Sequence, residues 1–274
     1  MSKSRSLFAL SAIAVPAALA YFLYENNRLT VSDYTFESKK LPASFDGFKI
    51  VHLSDLHNKS FGRGNHRLLE LISLESPDII VISGDLLDSH HTNKAVALDF
   101  LRKVSKIAPT FYTTGNHEDR FHEDEMADFL KDAEQAGATV LTQDTVTLTI
   151  GTDKIRLCGL ADKYRSRENL RTLMKGSSDT FTILISHRPQ YGKLYSECGA
   201  DLTFSGHAHG GQMRLGKLGS LIAPDQGFFP KYSEGIHYFG NSATIISRGL
   251  GNSLIPTRIN NLPEVVGCTL KRKQ

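Results

Sequence analysis

The chain has 274 residues, 40% hydrophobic and 22% charged, with a net charge of +3. That composition can bury a sizeable core, which excludes a disordered chain. Its basic residues are scattered apart from Lys271-Arg272-Lys273, so no nucleic-acid groove is indicated. Cys158, Cys198 and Cys268 lie far apart with no C-x-x-C spacing, which argues against a disulfide framework and against a thiolate metal site.

The first predicted element follows Lys3 and Arg5: Leu7–Tyr24 carries no charge and is just long enough to span a bilayer. It reads as an uncleaved anchor with Tyr21, Phe22 and Tyr24 at the membrane boundary. The alternative is a signal peptide cut after Ala18-Leu19-Ala20, giving a secreted product. Lys3 and Arg5 favour an inside N-terminus and an extracytoplasmic domain, while Arg28, Lys39 and Lys40 weaken that bias. Pro16 would kink such a helix. The expected division is a membrane segment over 1–27, a linker and edge strand over 28–46, and one domain over 47–274.

From Lys49 a rhythm begins. "KIVHLSD", "DIIVISGD" and "TFYTTGNHE" are short, β-branched and apolar, as buried strands are. Between them "NHRLLELISLES" and "NKAVALDFLRKVSK", and after them "DEMADFLKDAEQAG", repeat apolar residues at helical spacing. That alternation predicts an α/β architecture with a largely parallel sheet. From Thr139 successive strands dominate, with helices near Ser166–Lys175 and Gln190–Cys198, then "FTILISH", "ADLTFSGHAHGG", "IHYFG", "ATIISRG" and "EVVGCTL". One domain of two packed sheets with outer helices accounts for this order.

Five strand-like runs end in metal-competent side chains: Asp55 and His57, Asp85, Asn116 and His117, His187, then His207 and His209. Loops beyond the carboxyl ends of parallel strands converge on one edge, so these side chains are expected in one cleft. Gly84, Gly115 and Gly206 are expected to let the backbone turn as each strand ends. Singly, each signal is an ordinary turn aspartate or rim histidine. Five together, in a chain with 11 histidines, point to a shared site.

In that order, D-x-H, G-D, G-N-H-E, H and G-H-x-H resemble the calcineurin-like metallophosphoesterase superfamily, from Lys49 to His209. "GHAHGGQMRLG" and "SRGLGNSLIPTRINNLPEVV" resemble a narrower group, membrane-associated bacterial phosphoesterases related to UDP-diacylglucosamine pyrophosphatases. The resemblance implies a four-layer α-β-β-α sandwich and a two-metal site. One metal would take Asp55, His57 and His209, the other Asn116, His187 and His207, with Asp85 bridging. It also implies that His117 contacts the phosphate and protonates the leaving oxygen.

Imidazoles with carboxylates and no thiolate suit Mn, Fe, Zn, Ni or Co over Mg or Ca. Two such ions about 3.5–4 Å apart can clamp the oxygens of an in-line displacement, and a bridging hydroxide is available near neutral pH. Glu118 or Asp119 is a candidate to orient His117, Glu118 also to touch substrate, and Arg188 a bidentate phosphate donor. The function expected is a membrane-tethered phosphoester hydrolase acting on a phosphorylated substrate, whether monoester, diester or pyrophosphate, with lipid-linked or envelope compounds opened by the anchor. The alternatives are a tethered metal- or phosphate-binding module without turnover, and a nuclease.

Overall fold

A computed structural model describes residues 2–216, 219–252 and 257–274, with side chains from Ala14 onward. Half of the expected anchor, up to Ile13, and Ser253–Pro256 of the tail motif therefore lie outside the described side chains. The chain opens with helix α1 (Ser2–Asn27). Among the described residues no helix is long and apolar enough to cross a membrane. Arg28-Leu29 joins α1 to a strand at the edge of a sheet. Helix α1 runs through Glu25, Asn26 and Asn27, and strand β1 starts at once (Thr30–Ser38).

The elements then follow in chain order. First come β2 (Lys49–Leu53), α2 (His66–Leu74), β3 (Ile79–Ile82), α3 (Lys94–Val104), β4 (Thr110–Tyr112), α4 (Glu123–Gln135) and β5 (Ala138–Val140). Next are β6 (Gln143–Ile150), β7 (Asp153–Leu160), α5 (Arg167–Leu173), β8 (Thr182–Ser186), α6 (Gly192–Glu197) and β9 (Leu202–Ser205). A small hairpin, β10 (Ile222–Ala223) and β11 (Gly227–Phe228), precedes β12 (Gly235–Phe239), β13 (Ser242–Ile246) and β14 (Glu264–Arg272).

Two mixed six-stranded sheets form, ordered β1-β14-β2-β3-β4-β5 and β12-β13-β9-β8-β7-β6. Strands β2 to β5 are parallel, as are β13, β9, β8 and β7. The period of two along a strand separates the layers. In β2, Val51 and Leu53 pack with Leu68, Phe100 and Phe129 of the outer helices, while Ile50 faces the second sheet among Ile183, Ile185 and Phe204. Cys158, Leu160 and Leu184 cover the second sheet's other face with Leu170 and Tyr195 of its helices. The result is helix, sheet, sheet, helix. Cys158 and Cys268 are buried in this core.

The strand geometry sets the site. Each parallel strand hands its chain to a loop at its carboxyl end, and the sandwich brings the ends of both sheets to one rim.

Candidate metal centre

The seven side chains expected at the ions meet at this rim. His57 Nε2 and His209 Nε2 stand 3.2 Å apart, and Asp55 Oδ1 lies 3.3 Å from the latter. Asp85 Oδ2 lies 3.2 Å from His187 Nε2 and 3.7 Å from His57 Nε2. Three overlapping groups could each hold a cation: Asp55 with His57 and His209, His57 with Asp85 and His117, and Asp85 with His187 and His207. Asp85 belongs to two of them, as a shared carboxylate must.

Local backbone geometry aims these groups. Asp55, His57, Asp85, His207 and His209 all stand at left-handed φ, between 48° and 65°. Such a conformation costs a non-glycine residue about 1–3 kcal/mol and persists only where its surroundings enforce it. The backbone N–H of His207 donates to both oxygens of Asp55 at 3.1 Å, and that of His117 donates to Asp85 Oδ1 at 2.9 Å. Each carboxylate is thus fixed by the loop of another strand.

Of the three glycines expected at sharp turns, only Gly84 has positive φ. The other two are small because other groups crowd them. A methyl on Gly115 would meet Asp85, and one on Gly206 would meet Ser54 and the Asp55 carboxylate.

The donor set fits divalent ions. Asn116 Oδ1 is buried and accepts no hydrogen bond, a costly state for an amide oxygen unless a cation completes it. His187 Nδ1 donates to the Ser83 carbonyl at 2.7 Å, which leaves Nε2, with no aligned partner, to serve as a ligand atom. Burial lowers the pKa of His57 to about 4 and those of His207 and His209 well below the usual imidazole range, so these rings are neutral as metal ligands must be. Burial also lowers His187, but the Asp85 and Asp55 carboxylates outweigh it and raise the ring to about 10. Asp55 is pushed up to about 6 by burial, with a smaller contribution from Asp85.

His117 lines the mouth of a cleft of about 340 Å³ with Asp85, Asn116, Arg188, His207 and Asp225. Its Nδ1 accepts the Ser89 backbone N–H at 3.2 Å, and the Ser89 hydroxyl lies 3.1 Å away. The neutral ring therefore carries its proton on Nε2. Arg188 Nε and Nη2 donate to the two oxygens of buried Asp162, each at 2.7 Å, and Nη1 reaches Asp225. Glu118, expected at the substrate or behind the His117 ring, is placed elsewhere. It is 1% exposed and accepts from the backbone N–H groups of Asp85, Leu87 and Gly115 at 2.8–2.9 Å. It holds two ligand loops together and does not reach the cleft. His90 and His122 are exposed, and His90 sits beside Arg120 and His117.

Sequence reasoning passed over Asp162 and Asp225. Asp162 follows the carboxyl end of β7, so the rule that found the other five loops reaches it as well. Asp225 contacts His207 Nε2 at 2.8 Å from the β10–β11 turn, a contact across 18 residues that no strand-end pattern announces.

Residues 48–211 match the family model of the calcineurin-like phosphoesterases. The chain belongs to that family. Over 270 residues it is 30% identical to the metallophosphoesterase YkuE of Bacillus subtilis, covering 96% of this chain and 93% of that one. It is 28% identical to the phosphodiesterase YaeI of Escherichia coli over 80% of each chain. A dimetal phosphatase structure from Danio rerio shares the fold, with TM-score 0.51 and 12% identity over 75% of this chain and 88% of that one. This phosphoesterase is accordingly a phosphoester hydrolase with a His/Asp cluster suited to metal ions.

Proposed function

We propose that the enzyme hydrolyses phosphodiesters with two divalent transition-metal ions, held as the family resemblance implies. Asp55, His57 and His209 would bind one ion, Asn116, His187 and His207 the other, and Asp85 both. The observation that carries this reading is the buried, unpartnered Asn116 Oδ1 in one cleft with Asp85, His207 and His209. When bound, the ions supply Lewis-acid polarisation of the phosphoryl oxygens and an ionised water near neutral pH.

The chain's own groups do the rest. Arg188, locked by Asp162, would turn Nη1 from the Asp225 carboxylate to an anionic oxygen of the substrate. A guanidinium already fixed in place loses little freedom when it binds. His117 offers its Nε2 proton to a phosphate or leaving oxygen. Full transfer would start from the imidazolium: its Nε2 proton would go to the leaving oxygen, and the ring would be left neutral with its remaining proton on Nδ1, hydrogen-bonded to the Ser89 hydroxyl, with Asp88 3.8 Å away.

A diester preference is favoured by the name of the YaeI relative. A membrane tether through α1 is favoured by the uncharged run Leu7–Tyr24 and by exposed Val15, Leu19 and Leu23. It would place the cleft near lipid-linked or envelope phosphoesters on the extracytoplasmic side.

The test is hydrolysis of bis-p-nitrophenyl phosphate and p-nitrophenyl phosphate by the purified full chain with Mn²⁺. Asp85→Asn should lose metal and turnover together. His117→Ala should keep its metal and lose about 10²–10⁴ in kcat. Full activity in both variants, or metal bound by the wild type without hydrolysis of either ester, would overturn the mechanism.

A further inference from the structure

The end of helix α1 carries two polar side chains that are almost fully buried, Glu25 at 5% and Asn26 at 4% exposure. Burying a carboxylate and an amide is costly unless each finds partners. Asn26 Nδ2 donates to the Phe22 carbonyl within the helix, but each side-chain oxygen finds its partner more than two hundred residues away in sequence. Glu25 Oε2 accepts the backbone N–H of Asn261 at 2.8 Å. The Asn261 side chain in turn donates from Nδ2 to the carbonyl of His209 at 2.7 Å and to that of Gln212 at 3.2 Å. Asn26 Oδ1 accepts from Asn252 Nδ2 at 3.0 Å, and the Asn26 carbonyl accepts from Lys59 Nζ. Asn252 Oδ1 accepts from Arg258 Nε at 3.2 Å. The buried Arg258 guanidinium donates further to the carbonyls of Arg248, Gly249 and Gly251, and the Gly251 N–H donates to the Asp55 carbonyl.

Both branches thus end on the backbones of Asp55 and His209, with Lys59 two positions beyond His57. These three residues form one cation-competent group. The branches touch neither His187 nor Asn116.

We propose that Glu25 and Asn26 are positioning residues for the Asp55–His57–His209 half of the metal centre, so that the inner end of the N-terminal helix is a working part of that half-site. The inference goes beyond the hydrolase reading and rests only on its metal assignment. It also bears on processing. A cut after Ala20 would leave Glu25 and Asn26 in place, whereas removal of the chain through Asn27 would take the support away.

The distinctive consequence is asymmetry. Loss of a group that orients metal ligands typically weakens metal binding 10–100-fold. Here that loss should fall on one ion of the two. The experiment is equilibrium dialysis of the detergent-solubilised full chain against Mn²⁺, with bound metal counted by elemental analysis and melting temperature read on the chelated protein.

Glu25→Ala should bind one ion as the wild type does and the other at least tenfold more weakly, while the orphaned Asn261 N–H lowers the metal-free melting temperature by a few degrees only. Glu25→Gln keeps an acceptor for the Asn261 N–H and should stay within about threefold of wild type. Glu25→Asp keeps the charge but draws the carboxylate back by one methylene, and should behave like the alanine variant. If Glu25→Ala does not fold, the contrast between Gln and Asp decides instead. Equal affinities in all variants, or weakening of both ions alike, overturns the inference. A wild type that binds no metal overturns the metal reading itself, and this assay separates the two failures without measuring turnover.

Discussion

Replacing Glu118 by Gln isolates the device that locks two ligand loops together. The carboxylate accepts three backbone N–H groups, from Asp85 and Gly115 on Oε2 and from Leu87 on Oε1. An isosteric carboxamide keeps one acceptor, best spent on Asp85 and Gly115, and turns its NH₂ toward the Leu87 N–H. One buried donor is then orphaned, at about 1–3 kcal/mol, and two charge-assisted bonds become neutral, each losing about 1 kcal/mol. The gross loss is about 4 kcal/mol. Against it, the amide removes a carboxylate whose burial, with the charge of Asp85, pushes its pKa up to about 7. The expected net loss is about 2 kcal/mol, a fall of about 4–8 °C in melting temperature for a chain of this size. Because the same oxygens fix the Asp85 loop, turnover should drop about 10–100-fold as well. Differential scanning fluorimetry and bis-p-nitrophenyl phosphate hydrolysis read both, with exposed Glu123→Gln as the control. A Glu118→Gln protein that melts within 2 °C of wild type and turns over normally would refute the bracing role assigned to these three bonds.

Metal uptake should release about one proton at pH 7, because His187 in the metal-free protein holds a proton up to about pH 10 and must lose it to bind an ion. Titration calorimetry in MOPS and in Tris should give different heats, and equal heats would exclude this linkage. The sign for stability follows: the raised pKa contributes fully below the unfolded value of 6.5 and is lost as pH rises through about 10. The chelated protein should therefore melt lower at pH 10 than at pH 7. Gly206→Ala would press a methyl against Ser54 and the Asp55 carboxylate. It should lower bound metal to at most one ion per chain and cut turnover at least 100-fold, and a fully metallated, active variant would show the loop can yield there.

The candidate site was legible because its chemistry is written at strand ends. Asp55, Asp85, Asn116, His187 and His207 each follow a short apolar run, and that pattern places them on one edge before any coordinates are known. Glu118 was misplaced for an instructive reason. Adjacent to His117, it was expected to serve it, yet the loop turns the carboxylate inward to three N–H groups that belong to two different strands' loops. Neighbours in sequence need not share a task when a tight loop sends them to opposite sides.

Strand and helix periodicity also fixed which segments would be buried. It could not fix the position of β14, the last strand, between β1 and β2, because strand order depends on long-range pairing that leaves no local period. The same limit hid the buried end of α1. Glu25 and Asn26 close the expected membrane segment, and only the return of Asn252, Arg258 and Asn261 ties them to the loops of the metal centre. The sequence by itself determined the donor chemistry and the elements that carry it, since residue type and short-range spacing decide both. The tertiary structure alone decided which distant backbones hold those donors in place, since hydrogen bonds across two hundred residues exist only after the sheets have packed.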